Sequence, residues 1–479
     1  MKLPLKLRER GASFIGGVHP PEGKALTEHK EIERYVPKAG GEFVFPLSQH
    51  IGAPCAPVVN KGDRVLAGQK IADSDAFVSA PIFASISGVV KEIGPRMTVA
   101  GSVDPCIVIE NDGLYEQAPA LFDLKNKPGV NDYIKIIRSA GVVGMGGACF
   151  PTHVKLSPPK DKVINWVILN GAECEPYLTC DNRLMIEEAD AIVDGFAMVL
   201  KLFPKAHGII AIESNKPEAI EIIGQKIAEK KIKNISVMPH KVKYPQGAEK
   251  MLIWSITGQE IPAGIGPLPP ALPADVGCII LNTRTVWQIY SALTKGLPVT
   301  ERIISVTGDA IANPRNLRVP LGISVRELIN ACGGFNYNGL EPVKILGGGP
   351  MMGISMRSLD VPVVKGTSGI LALSKFTAHI EDESNCLRCG RCIDACPMRL
   401  DPELLDKAVR RRDYKSFEEH LGMNCIECGC CSFICPASRH LTQSLREGKA
   451  AVMAARRKAQ AQAQAQQASQ SSKQEAAKK

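Results

Sequence analysis

No apolar run in these 479 residues approaches the ~18–20 residues that a membrane-spanning helix needs. The opening MKLPLKLRERG is basic, but no long apolar stretch follows it, so the pattern of a secretory signal is missing. Strong net charge is missing too. Of the formal +9, the stretch from Arg446 onward carries +6, leaving a nearly neutral body without a broad basic face for nucleic acid. The expectation is a cytoplasmic protein whose association with any membrane is peripheral. In a reducing compartment its 16 cysteines are not read as disulfides, and clustered cysteines there more often bind metal.

The length suits three or four domains, and 45% apolar with 22% charged residues is ordinary for globular protein. Residues 1–35 read as loop-rich, with GGVHPPEGK in the middle. Over 36–115, VNKGDRVLAGQKIA and SAPIFASISGVVKEI give short Val/Ile runs broken by GD, AG and SG, the marks of small strands with tight turns. The two halves resemble the lipoyl or biotinyl barrel-sandwich fold. Carrier members of that fold bear a lysine at the hairpin tip, whereas DSDAFVSA has none here, so a structural copy is expected.

Between 120 and 300 the period changes. NWVILN, GIIAIE and NISVMP read as buried strands. LMIEEADAIVDGFAMVLKLF and PEAIEIIGQKIAEKK read as helices, the second opened by Pro217 with Ser214 or Asn215 near its cap. This βαβαβ order predicts a parallel sheet, with ligands beyond the carboxyl ends of its strands. Those ends are GAECEPY, ESNKP and HKVKYPQG. RIISVTGDA and NLRVPLGISVRELINACGGF, within 301–345, resemble the soluble-ligand-binding β-grasp module. From 446 to 479 the chain is basic and low in complexity, expected to be disordered or a frayed helix.

Two runs between 365 and 445 carry the sharpest signal. CLRCGRCIDACP places Cys386, Cys389, Cys392 and Cys396 before a proline, and CIECGCCSFICP does the same with Cys425, Cys428, Cys431 and Cys435. Both are C-x2-C-x2-C-x3-C-P, the two-cluster ferredoxin pattern in which the fourth cysteine ligates the other cluster. Cys386, Cys389, Cys392 and Cys435 are therefore assigned to one [4Fe–4S] cluster, and Cys425, Cys428, Cys431 and Cys396 to the other. A zinc ribbon uses two C-x2-C pairs and has no need of a third cysteine and a C-P, twice. Cys430, one residue from Cys431, is expected to point away and pack. The insert DPELLDKAVRRRDYKSFEEHL reads as helical, giving a helix-rich ferredoxin variant.

GVVGMGGACFPTHVKL precedes the first sheet strand. Its glycines allow backbone N–H groups to approach a phosphate, but a glycine run alone is better read as a tight turn. GMGGACFPTHVK followed by NGAECEP resembles the flavin-binding subunit of respiratory complex I, whose runs read GRGGAGFPTGLK and NADESEP. The matching positions are Gly144, Gly146, Gly147, Phe150, Pro151, Thr152, Lys155, Asn170, Glu173, Glu175 and Pro176. LNTRTVWQI adds Asn282 and Thr285, and YPQGAEKML adds Glu249. The resemblance implies that the glycine loop and Asn170 hold FMN and that the acidic residues help to seat NADH. Met145 stands where that family has Arg, Cys149 where it has Gly, and Ala172 where it has Asp. Cys149, Cys174 and Cys180 read as small buried residues.

Taken together the chain is a multidomain α+β protein. It comprises a barrel-sandwich, a parallel α/β FMN/NADH domain, a β-grasp (SLBB-like) module, a two-cluster ferredoxin domain and a tail. That order resembles the C subunit family of Rnf ion-translocating oxidoreductases. The resemblance implies electron transfer between NADH and ferredoxin coupled to Na⁺ or H⁺ movement. It implies FMN and two [4Fe–4S] clusters as cofactors and a peripheral place on the cytoplasmic side of a bacterial inner membrane. Membrane-embedded and ferredoxin-like subunits would be its partners, with ferredoxin or flavodoxin engaged indirectly. The cofactors carry the redox chemistry, and no side chain is assigned as a catalytic acid or base. Two alternatives stand beside it: a soluble flavo-iron–sulfur protein similar to cobalamin reductases, and an electron-relay scaffold without nucleotide binding.

Overall fold

In the computed structural model, which describes residues 12–265 and 270–477, β1 (Trp166–Gly171) is followed by α1 (Cys180–Glu187), α2 (Ala189–Lys201), β2 (His207–Glu213), α3 (Pro217–Glu229) and β3 (Ile235–His240). After these come α4 (Glu249–Thr257), β4 (Cys278–Asn282) and α5 (Thr283–Lys295). The strand order is β3-β2-β1-β4, all parallel. Val167, Ile168 and Leu169 of β1 and Ile279 to Leu281 of β4 are buried, the continuous apolar run expected of strands covered on both faces. Each such side chain contributes about 1.5–3 kcal/mol by leaving water. The order reverses between β1 and β4. Asn170 and Asn282 are register partners at the ends of these two strands, so both lie at the topological switch point.

The stretch read as one helix from Leu184 is two, broken at Glu188. The cap of α3 is Lys216 rather than Ser214 or Asn215, and it makes no side-chain capping bond. Helix α5 starts firmly: the Asn282 side chain accepts from the Arg284 amide, and Gly296 ends the helix at φ 61°.

The barrel-sandwich is two small antiparallel sheets. One holds Glu42–Pro46, Arg64–Val65, Gly88–Met97 and Val103–Asn111; the other holds Ala56–Pro57, Lys70–Asp73 and Ile82–Phe83. Phe43, Phe45, Ile71, Ile82, Ile107 and Ile109 fill the core, and the 73–80 connection carries no lysine. The β-grasp elements Glu301–Thr307, Arg315–Pro320 and Val325–Ala331 form as expected, but their sheet is larger. Pro342–Gly347, Ile354–Ser355 and Gly369–Ser374 extend it, and Ile32–Arg34 from the loop-rich segment pairs parallel to Arg315–Pro320. A three-residue strand has no period for sequence reading to find. These three parts form one compact unit.

Residues 14–18, 261–265, 270–271 and 381–477 form a second compact unit. Its helices include Arg391–Ala395, Pro402–Arg410, Tyr414–Glu419, Cys430–Phe433 and Leu441–Ala477. Leu400, Leu405, Val409, Phe417, Leu445 and Val452 make its core. Gly448 lets the last helix lie against Phe417, since a Cβ there would come within 2.8 Å of that ring. Of the two expectations for the tail, the helical one holds: the helix begun at Leu441 continues to Ala477. No helix of the described residues is long and apolar enough to cross a membrane.

Candidate functional site

The cysteine motifs repeat in backbone as well as in sequence. Arg388 and Glu427, two residues after the first cysteine of each motif, both take left-handed φ values of 53° and 57°. Their amides turn back on that first cysteine, Arg388 N–H to Cys386 Sγ at 3.4 Å and Glu427 N–H to Cys425 Sγ at 3.3 Å. Gly390 and Gly429 then start the two short helices at φ 76° and 85°, a conformation cheap only for glycine. Amides aimed at sulfur suit thiolates that carry the charge of a cluster.

The fourth cysteine of the first motif lies among those of the second. Cys396 lines one cavity together with Cys425, Cys428 and Cys431. Cys392 and Cys435 are electrostatic neighbours in turn. The four motif cysteines at this cavity, with apolar Pro397, Met398, Leu400 and Ile426 in its wall, fit a four-iron cluster. Cys430 corrects its expectation in part. It is buried, as packing requires, but its thiol hydrogen-bonds Cys428 and it lines the same cavity. The left-handed Gly429 between them folds the chain back on itself.

The two motifs differ in cover. Cys386 and Cys389 are exposed, whereas Cys428 and Cys431 are buried. The last helix seals the second motif. Lys449 Nζ donates to the Cys425 carbonyl at 2.8 Å and pairs with Glu427 at 2.6 Å, and Arg446 pairs with Glu427 at 3.2 Å.

At the α/β switch point the glycine loop is closed by Gly144 N–H to the Phe150 carbonyl at 2.8 Å and Cys149 N–H to the Gly144 carbonyl at 3.0 Å. The Met145 amide donates to Thr285 Oγ1 at 2.8 Å. Gly146 rests against Asn282, where an added Cβ would come within 3.3 Å of the side chain. Gly147, at φ 117°, has nothing within 4 Å of where a Cβ would stand, so the loop keeps an open side. This open, glycine-lined cradle fits the phosphate-bearing end of a flavin nucleotide. Cys149, where the resembling family has glycine, takes a left-handed backbone, φ 51°. Its sulfur fits against Gly366, where a Cβ would meet it at 2.5 Å. Met145 is buried, and its carbonyl accepts from the fully buried Arg302 at 3.0 Å.

Lys155 and Glu249 come together, Nζ to Oε1 at 2.5 Å, and Lys155 also donates to the Ile280 carbonyl at 3.1 Å. Asn170 Nδ2 donates to the Gly247 carbonyl at 2.8 Å. Asn282 Nδ2 donates to Asp181, itself paired with the buried Arg284 at 2.7 Å. The Thr152 hydroxyl is enclosed without a hydrogen bond.

The acidic residues are not solvated loop charges. The Glu173 carboxylate accepts from the Asp181 and Asn182 amides at 2.6 and 3.1 Å, at the start of α1. Burial pushes its pKa up to about 6, and the Lys24 ammonium opposes that rise. Glu175 Oε1 accepts from the Met352 amide at 2.7 Å, beside Gly349 of the 348–353 loop. Glu175 Oε2 is enclosed and unpartnered, and burial raises this group to about 7. Glu175 therefore faces the extended β-grasp sheet, while Glu173 faces α1. Lys24 and Arg302 were not foreseen; GGVHPPEGK ends on the former, but only the fold brings it to the acidic loop.

Comparison with known proteins agrees with this organisation. Residues 12–114 match the RnfC barrel sandwich hybrid domain, and residues 137–291 match the Nuo51 FMN-binding domain. Residues 303–355 match the SLBB domain and 378–436 a 4Fe-4S dicluster domain. The chain is 45% identical over 413 residues to the C subunit of the proton-translocating ferredoxin:NAD(+) oxidoreductase complex of Clostridium ljungdahlii, covering 86% of this chain and 87% of that one. It is 42% identical over 448 residues to the C subunit of the Na(+)-translocating ferredoxin:NAD(+) oxidoreductase complex of Acetobacterium woodii, covering 93% and 98%. With the C subunit of the ion-translocating oxidoreductase complex of Rhodobacter capsulatus the identity is 41% over 405 residues, covering 84% and 76%.

Proposed function

Because the chain belongs to the C subunit family of ion-translocating ferredoxin:NAD(+) oxidoreductase complexes, we propose that it is the component at which nicotinamide nucleotide meets the electron path of such a complex. The observation that carries the reading is the presence, on one chain, of an open glycine cradle at the β1/β4 switch point and of a cavity where Cys396 meets Cys425, Cys428 and Cys431.

Bound FMN supplies exchange between two-electron and one-electron transfer, and the clusters supply single-electron carriage. Gly144, Gly146 and Gly147 offer backbone to the flavin phosphate, with Phe150 and Thr152 closing the loop. Lys155, paired to Glu249, supplies positive charge at its edge. Asn170 and Asn282 fix the strand ends, and Thr285 fixes the loop to α5. Glu173 and Glu175 form the acidic side of the nucleotide site. Cys386, Cys389, Cys392 and Cys435 hold one cluster, and Cys425, Cys428, Cys431 and Cys396 the other.

Other subunits of the complex are its partners, and its association with the membrane is peripheral. We place it on the cytoplasmic face, where NADH is available, with ferredoxin or flavodoxin engaged through other subunits.

The test uses membranes from a strain lacking this chain. Adding back the full-length protein restores NAD⁺ reduction by reduced ferredoxin, and Glu173→Ala, loaded with both clusters, restores little. Full restoration by Glu173→Ala would instead favour a relay scaffold without a nucleotide site.

A further inference from the structure

The loop after β1 is held in an unfavourable shape. Glu173 and Tyr177 both have left-handed backbones, φ 46° and 67°, which side chains beyond glycine and asparagine rarely adopt. Such residues persist only where their surroundings over-determine them, and they gather at ligand sites. The surroundings here come from a distant segment, residues 22–27. Lys24 is buried, and its ammonium donates to three backbone carbonyls of this one loop: Glu173 at 2.9 Å, Glu175 at 3.0 Å and Leu178 at 2.5 Å. Three donors is all that an ammonium has, so every proton is spent on the loop backbone. The Tyr177 amide donates to the Glu22 carbonyl at 2.7 Å, and Thr27 Oγ1 meets Thr179 Oγ1 at 2.7 Å. Gly23, φ 59°, lies so close to the Tyr177 ring that a Cβ would stand 2.6 Å from it.

Lys24 pairs with no carboxylate among the described contacts. It binds the backbone beneath Glu173 and Glu175 and leaves their carboxylates to other partners. We propose that Lys24 is a positioning residue: by gripping the 173–178 carbonyls it sets the two acidic side chains for the nicotinamide nucleotide. Its effect is on nucleotide binding and not on flavin retention, because the glycine cradle is built from other residues, 144–150 with Asn282 and Thr285. This inference rests on the nucleotide-binding reading above and assigns one residue's part in it.

The experiment compares anaerobically purified full-length wild type with Lys24→Met, Lys24→Arg and Lys30→Met. Lys30 lies just beyond that segment and donates to the Pro314 carbonyl at 2.8 Å, not to the acidic loop. Flavin and iron are counted, NAD⁺ affinity is measured by calorimetry, and flavin bleaching is followed against NADH concentration. Lys24→Met keeps flavin and ~8 iron per chain. It weakens NAD⁺ affinity and raises half-saturating NADH roughly tenfold or more, with the limiting rate little changed. Lys24→Arg, which keeps charge and donors, recovers most of the loss, and Lys30→Met matches wild type. Wild-type NAD⁺ affinity in flavin-loaded Lys24→Met overturns the inference. Absence of NAD⁺ binding by the wild type overturns the reading beneath it instead. Should Lys24→Met fail to fold, Gly23→Ala decides. It displaces Tyr177 with Lys24 intact, and unchanged NAD⁺ affinity in that variant counts against the proposal.

Discussion

The Met145 amide donates to Thr285 Oγ1 at 2.8 Å, and both groups are buried, so the glycine loop and the first turn of α5 hold each other. Thr285→Val keeps the shape and strands the amide, at a cost of about 1–3 kcal/mol. The expected outcome is flavin affinity weaker by roughly tenfold, read by fluorescence of released FMN, with iron content unchanged. Wild-type flavin retention would show that the cradle does not depend on this bond.

Crossed ligation makes an unusual prediction about which variants resemble each other. Cys396→Ser belongs by sequence to the first motif but should lose the second cluster, lowering iron from ~8 to ~4 per chain. Its EPR spectrum should therefore match that of Cys428→Ser and differ from that of Cys389→Ser. A match with Cys389→Ser would refute the crossing. Cys430→Ser should retain both clusters, its thiol being a neighbour of Cys428.

How much of this was open to sequence reading depends on the range of the interaction. The cysteine spacing, the β1 to β3 runs and the glycine loop are local patterns, and the three strands form where expected. The break at Glu188 hides inside a continuous helical period. Contacts across the chain were invisible: Lys24 lies 149 residues from Glu173, and Glu175 lies 177 from Met352. Asn282 was legible as a site residue, yet its side chain is committed to capping α5 and to Asp181.

Glu175 makes stability depend on pH in a definite direction. Its ordinary value is 4.5 and burial lifts it to about 7. Between those values the folded chain binds more protons at this site than the unfolded chain does, so stability falls as pH rises through the window. Glu175→Gln removes that slope. Its melting temperature should gain on wild type as pH goes from 5 to 8; a constant difference would mean that Glu175 titrates normally.

Lys449 places a cation beside the second motif, bonded to the Cys425 carbonyl at 2.8 Å. Local charge and exposure tune cluster potentials. Lys449→Met should make one cluster harder to reduce and leave the other alone, as seen in an EPR-monitored redox titration. Equal shifts in both clusters would contradict the assignment of this helix as a cover for the second motif.

The central claim is that one chain joins a nicotinamide-nucleotide site to two four-iron clusters. The direct measurement is an anaerobic NADH titration of the purified full-length protein, followed by visible and EPR spectra against counted flavin and iron. The account predicts one FMN and ~8 iron per chain, flavin bleaching on NADH, and cluster signals that appear with it. A full iron load with no flavin, or with flavin that does not respond to NADH, would contradict it.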